Sequence, residues 1–426
     1  MTYELSENTR RRAGRLATLS SCCGVTGETT LTDSAVIILF AAALNAGDTL
    51  TLISTSMLPF FNGLFILPAA LLATRIGHRR MILSACAAGF FAYLAAVAAP
   101  FAGRGAVAML IGAILLFTLT TPGFIACWNP LLDFFLRPEE RVGFLGRMRF
   151  LHQLCAICFL AIAGWFIGRT PSVARLQVVL LAGAVIYAGR GISIARIHGF
   201  GETHTASETH LSSGLSAAVH DRSLNIFSAY QFVLNLMLYG GIPVAALYMK
   251  NALKVPGNLV VHVTNAGLVG MLAGYLAANA LKSRVSSRTM FILLHFVAIV
   301  INILLATVCD NTPVALCCLA ALLAVLGATV AASSVYCAAE TMRLAPEGNK
   351  IVAMAWSCAF FYCGSGCSRL FSSFLLKSGL FCGIGGEALT PYQLLFLAYG
   401  ILLIPALLLL FRIPVVRNHN PEGTKL

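Results

Sequence analysis

Twelve apolar runs, each long enough to cross a bilayer, alternate with short polar joints along the 426 residues of this chain. The runs occupy 34–54, 57–75, 81–101, 106–132, 149–168, 175–196, 224–248, 257–281, 289–309, 313–338, 352–376 and 391–412. A span needs about 20 largely apolar residues. In lipid every backbone amide must be satisfied internally, which a helix achieves within its own segment. The alternating ten-residue pattern of barrel strands is absent from the sequence. The pattern therefore predicts an all-α membrane protein with twelve transmembrane helices. Only the first joint is tight, since Ile53 and Met57 leave almost no loop between two windows.

The runs form two sixes that match at an offset of 209 residues. Arg75 and Arg79 in ATRIGHRRM fall on Arg284 and Arg288 in KSRVSSRTM, and Arg141 in RPEERVGFLG falls on Lys350 in APEGNKIVAM. Two pseudo-symmetric six-helix bundles are expected, at 34–196 and 224–412. A polar linker at 197–223 joins them, and tails at 1–33 and 413–426 flank them. A duplicated six-helix unit sets a solute path between halves that rock against each other, which points to a transporter.

Composition agrees. The chain is 58% hydrophobic and 11% charged, with mean hydropathy +0.85, against roughly 25% charged residues in soluble domains. Its net charge of +13 is explained by where the basic residues lie. With the N-terminus inside, 22 of the 29 lysines and arginines fall in inside segments, six fall outside, and Arg369 alone lies within a span. That bias sets both termini in the cytoplasm and removes the need for a nucleic-acid partner. Residues 1–33 lack the apolar core of a cleavable signal and read as a cytoplasmic tail.

Most of the fourteen cysteines lie in apolar runs, where Cys packs as a small apolar residue. Cys155 and Cys158 have metal-ligand spacing but no second pair, so no metal is assigned. His198, His204, His210 and His220 mark the linker. It reads as a soluble connector, with metal sensing by its imidazoles as the alternative.

At LLATRIGHRRMIL the sequence resembles the major facilitator superfamily, whose signature after the second span reads Gly-x-Leu-Ala-Asp-Arg-x-Gly-Arg-Arg/Lys. Leu72, Ala73, Arg75, Gly77 and Arg79 match; Ala70, Thr74 and His78 depart from it, and Arg80 adds a base. RPEERVGFLGR resembles the family's Pro-Glu-x-x-Arg-Gly loop, with a degenerate copy in LAPEGNK. The resemblance covers roughly 31–412. It implies that spans 1, 4, 7 and 10 line a central cavity, with 2, 5, 8 and 11 beside it and 3, 6, 9 and 12 facing lipid. It also implies a carboxylate latch where Thr74 stands. Physically, the basic loops sit at the headgroup boundary and are expected to pair in one state with acids at the ends of cavity helices, Asp133 and Glu340. Simple positive-inside anchoring is the competing reading.

Charges deep in a bilayer cost several kcal/mol and mark function. Two qualify by their windows: Asp48, about 22 Å into the first span, and Arg369, about 25 Å into the eleventh. Asn45 lies one turn from Asp48, and Tyr362, Ser365 and Ser372 share a helical face with Arg369. Their similar depth motivates a gate in which Asp48 and Arg369 meet. Further polar stripes carry Thr329, Ser333, Tyr336 and Glu340; Gln231, Asn235 and Tyr239; and Thr118, Trp128 and Asn129, with Pro122 kinking the helix. Aromatic rings beside amides and hydroxyls suit a hydroxylated or mixed polar solute, although helix packing uses the same groups. His152, His262 and His295 near span ends read as interface residues before proton carriers.

No phosphate-binding loop, zinc-protease helix or nucleophile elbow occurs, so neither catalysis nor a cofactor is expected. Transport would draw on a gradient of protons or sodium. The expected protein is a monomeric, multi-pass transporter of the inner or plasma membrane, working by alternating access on a small-molecule substrate. Ion-coupled uptake of a sugar-like or organic-acid solute leads. Efflux of amphipathic compounds, or a receptor or scaffold on the same fold, stands as the alternative.

Overall fold

The computed structural model describes residues 6–137, 140–197, 215–281, 284–344, 350–378, 380 and 389–410, and within these the side chains of Asn129, Asp133, Arg141, Val142, Asn279, Lys350 and Ile351, with Gly143, lie outside the described set. Most of the linker, 198–214, lies outside the described residues as well. The chain divides into two units, 1–208 and 209–426.

The first unit contains α1 (Glu7–Thr32), α2 (Ala35–Ala43), α3 (Gly47–Ile76), α4 (His78–Ala98), a 3-10 turn (Ala99–Gly105), α5 (Ala106–Phe135), α6 (Arg141–Ile167) and α7 (Val173–Ala195). The second contains α8 (Arg222–Leu238), α9 (Gly241–Asn251), α10 (Gly257–Leu281), α11 (Ser287–Thr307), α12 (Pro313–Leu344), α13 (Lys350–Lys377) and α14 (Pro391–Leu410). Ten helical stretches of the described residues are long and apolar enough to cross a membrane; one of them, His78–Leu132, holds both α4 and α5. Helix α13 adds a further helix of 28 residues, the length of a span. Among the described residues the protein is all-α, and its helices are consistent with a multi-pass membrane protein of twelve spans, six in each unit.

The repeat is visible in the packing. Contacts between α3 and α5, α1 and α6, and α4 and α7 recur as α10 with α12, α8 with α13, and α11 with α14. The first span of each bundle is broken in two. Span one bends at Asp33–Ser34, where Ser34 is extended (φ −115°, ψ 161°); span seven breaks at Tyr239–Gly240.

The start of the first bundle differs from the sequence expectation. Most of the segment 1–33 is not a tail: α1 runs from Glu7 to Thr32 and packs against α7 and α6, while residues 1–5 lie outside the described residues. Its buried face carries a stripe of small residues at steps of three and four, Ala13, Ala17, Ser20, Gly24 and Gly27, followed by Leu31. Small side chains let helices approach closely in a membrane. Two hydroxyls near the end of that stripe turn onto carbonyls of the same segment, Thr30 donating to the Thr26 carbonyl (2.7 Å) and Ser34 to that of Thr30 (2.9 Å). The window 34–54 is therefore two pieces, the end of span one and the start of span two. Between them the chain reverses at Leu44–Ala46, with Asn45 at φ 61°, a left-handed conformation that Asn tolerates better than most residues. Span two is tied to span four by the Thr121 hydroxyl donating to Asn62 Oδ1 at 2.6 Å.

Candidate functional site

The correction to span one moves a carboxylate into the interior of the bundle. Glu28 stands 13 residues beyond Arg15 and 15 before Ala43, about 20 Å from either at the helical rise. Its Oε2 accepts from Arg190 Nη1 of α7 at 3.0 Å, and the side chains are 24% and 4% exposed respectively. Arg190, counted above with the basic loops, lies inside α7, five residues from its end. Side chains tilt toward the N-terminus of their helix. Helix α7 runs toward the basic end of the bundle, so Arg190 is aimed inward rather than out to headgroups.

Aromatic rings and a glycine surround that guanidinium. Its carbon lies 4.0 Å from the centroid of the Phe124 ring on α5 and 5.3 Å from that of Tyr187, placing a cation on aromatic faces. Gly24 of α1 has no side chain where a Cβ would overlap the guanidinium. Ser20 donates to the Arg190 carbonyl at 3.1 Å, and Ser21 shares a hydrogen bond of 2.9 Å with His152 Nδ1 of α6. His152 thus holds α6 to α1. Asp33, at the break five residues on from Glu28, is exposed. Sequence reasoning missed this group because residues 1–33 were assigned outside the membrane. By contrast Asp48 is not deep in a span: it lies in the first turn of α3 beside exposed Asn45, while Arg369 lies eight residues inside the end of α13. The equal depth that motivated pairing them is lost.

In the second unit a buried hydroxyl–amide knot joins three helices. Gln231 Nε2 of α8 donates to Thr341 Oγ1 of α12 at 2.8 Å and to Ser357 Oγ of α13 at 3.3 Å, and Ser228 donates to Ser357 at 3.0 Å. Asn235 is fully buried and donates to the Gln231 carbonyl (2.7 Å). Thr329 and Ser333 turn their hydroxyls onto carbonyls of their own helix, and Tyr336 packs edge-on to Phe291. Ser365 and Arg369 are each 3% exposed. Along the same face Ser372 hydrogen-bonds Tyr399 of α14, whose hydroxyl also reaches the Ser368 carbonyl at 3.1 Å. Tyr239 and Tyr362 are half-buried around Phe361, at centroid distances of 5.6 and 5.5 Å. In the first unit Trp128 stacks on Phe124 at 5.2 Å, one ring away from Arg190.

No family model matches the sequence, and no curated protein does. Solved structures are similar over nearly the whole chain. A nucleoside transporter, NupG, superposes with TM-score 0.68 at 12% identity over 97% of this chain and 100% of that one. A POT family transporter in complex with a thioalcohol-conjugated peptide gives TM-score 0.71 at 12% identity, covering 97% of both chains. FucP, a major facilitator superfamily transporter in the outward conformation, gives 0.62 at 13% identity over 94% and 98%. The fold is the major facilitator fold.

Within that fold, the loop carrying the signature resemblance is the joint between α3 and α4. Gly77 supplies φ 94°, which a glycine adopts without strain, and the joint needs no further residue. Arg75 and Arg80 are exposed, as is Arg284 in the matching loop, with Arg288 half-buried. Arg79 turns back into its own bundle, donating from Nη1 to the Ile197 carbonyl (3.0 Å) and from Nη2 to that of Ala195 (3.2 Å). It caps α7, where unsatisfied carbonyls and the negative end of the helix dipole favour a cation. Glu340 is buried and ion-paired to Arg343 one turn along α12. Arg79→Ala is expected to lower stability by about 1 kcal/mol, read as a thermal shift in detergent. An unchanged melting temperature would remove the capping role.

Proposed function

We propose that this chain is a secondary active transporter that carries a small polar organic solute by alternating access, driven by protons. The Glu28–Arg190 pair, enclosed between α1 and α7 of the first bundle, carries this reading, because charges within spans are costly and mark ion or substrate pathways. A guanidinium 3.0 Å from the carboxylate repels sodium, whereas a proton cancels the charge that holds the two together. Protonated Glu28 releases Arg190, and the first bundle then exchanges one polar arrangement for another. Uptake of a sugar-like or organic-acid solute suits the polar and aromatic groups each bundle carries, Trp128 in the first and Gln231, Tyr239 and Tyr362 in the second. Solved structures of the same fold include proteins described as nucleoside and peptide-binding transporters, which are also polar solutes. Arg369 serves an anionic group where the solute has one, and both termini lie in the cytoplasm.

The test is purified protein in proteoliposomes with an imposed pH gradient and a panel of sugars, nucleosides and monocarboxylates. At least one solute is expected to accumulate with the gradient and to move protons in return. Accumulation indifferent to pH would overturn proton coupling. Solute binding with no movement across the bilayer would overturn transport in favour of a receptor.

A further inference from the structure

A cavity of about 690 Å³ opens at the basic end of the first bundle, bounded by the opening turns of α1, the C-terminus of α5 and the first half of α6. Four guanidinium groups line it, Arg10, Arg11, Arg15 and Arg147, against two carboxylates, Glu7 and Glu140. Arg10 is the fixed part of the wall. It meets Glu140 at 2.6 Å and Glu7 at 3.4 Å, and its Nε caps α5 by donating to the Phe135 carbonyl at 2.9 Å. Arg11 meets Glu7 at 3.0 Å. Among the described residues lining it, guanidinium groups outnumber carboxylates four to two, which favours anions, and Arg15 and Arg147 are exposed on its rim.

The second observation is the direction of the helices. Both α1 and α6 run away from the basic end, and on each a leucine lining the cavity follows an arginine by four residues: Leu19 after Arg15, Leu151 after Arg147. Four residues are one turn, about 6 Å deeper. The cavity is thus cationic at its mouth and apolar further into the span, with Phe144 continuing the apolar wall. A free phosphate would use only the mouth. We infer that the cavity holds a phosphate-bearing anionic lipid, its phosphate on Arg15 and Arg147 and its first acyl carbons along Leu19 and Leu151. Arginine forks bind phosphate oxygens in paired hydrogen bonds, and basic pockets between spans hold lipid headgroups. This site is independent of the transport reading.

The experiment uses the full chain in mild detergent, titrated with short-chain phosphatidylglycerol, phosphatidylcholine of equal chain length, or inorganic phosphate, and read by melting temperature and native mass spectrometry. Phosphatidylglycerol is expected to raise the melting temperature and to be retained in the gas phase, with the other two inactive. Arg15→Ala/Arg147→Ala is expected to weaken the midpoint about tenfold or more, a loss of about 1.4 kcal/mol. The single Arg15→Glu, at an exposed position, gives the same reading if the double variant folds poorly. Equal shifts with phosphatidylcholine, a full shift with inorganic phosphate, or undiminished phosphatidylglycerol binding by both variants would each overturn the lipid site.

Discussion

Glu28→Ala is expected to cost about 3 kcal/mol of stability and to abolish proton-driven uptake. Breaking a buried pair by deleting one member leaves the other charged and uncompensated, a loss of roughly 3–5 kcal/mol; the lower end applies because Glu28 keeps 24% of its side chain exposed. The rings of Phe124 and Tyr187 remain around Arg190, but a cation on aromatic faces gains only about 1–2 kcal/mol, too little to replace a carboxylate. Adding Arg190→Met to Glu28→Ala removes the orphaned charge and is expected to restore part of the melting temperature. Uptake stays absent, since no group is left to carry the proton. A double-mutant cycle on melting temperature measures the coupling. Strict additivity of the two single losses would show that the ion pair contributes nothing to folding. Glu28→Gln keeps a hydrogen-bond acceptor for Arg190 and separates the two roles. It is expected to fold close to wild type while losing the pH dependence of transport.

Much of this architecture was legible because hydropathy and charge agree over most of the chain. The basic joints at Arg75–Arg80 and Arg284–Arg288, the repeat between the sixes, and spans such as α7 and α11 all follow from apolar length and positive loops. Span one did not follow, because a hydropathy window counts each hydroxyl and glycine of SSCCGVTGETT as if it were desolvated alone. In the bundle Ser20 and Ser21 bond to α7 and α6 and Thr30 to a carbonyl of its own helix, and the glycines are where α7 comes closest. Two signals were there to be read. Asn45-Ala46-Gly47 interrupts the first window with residues that favour turns, and the small residues from Ala13 to Gly27 recur at helical spacing. Missing span one hid Glu28 and Asp33 and gave Asp48 a depth it does not have. Arg190 was hidden differently. A charge near the end of a window reads as an anchor, and only the direction of α7 reveals that it points inward. The polar stripes on α8, α12 and α13 were found in the sequence, yet Gln231, Thr329 and Ser333 spend their polar atoms on neighbouring helices or their own backbone, which spacing alone does not show.

Gly270→Leu is expected to be among the most destabilising single substitutions outside the charged pair. Along the contact of α10 with α12, a Cβ at Gly270 would overlap the backbone carbonyl of Ala324, one at Gly274 the backbone of Ala328, and one at Gly327 that of Gly267. These obstacles are main chain, so no rotamer change relieves them, and the helices would have to separate along the whole seam. Between helices in lipid there is little hydrophobic drive to hold such a seam, and close van der Waals contact supplies most of the association. Overpacking a close contact costs typically 1–3 kcal/mol and sometimes more; a leucine against two backbones belongs at or above about 3 kcal/mol. Gly112→Ala is the control: nothing lies within 4 Å of its would-be Cβ on α5, and a substitution free of contacts stays within about 0.5 kcal/mol. Both variants are compared by melting temperature and by the monodisperse fraction in size-exclusion chromatography. A Gly270→Leu protein that melts with the wild type would mean that α10 and α12 do not meet backbone to backbone, and the packing of the second bundle would need to be drawn differently.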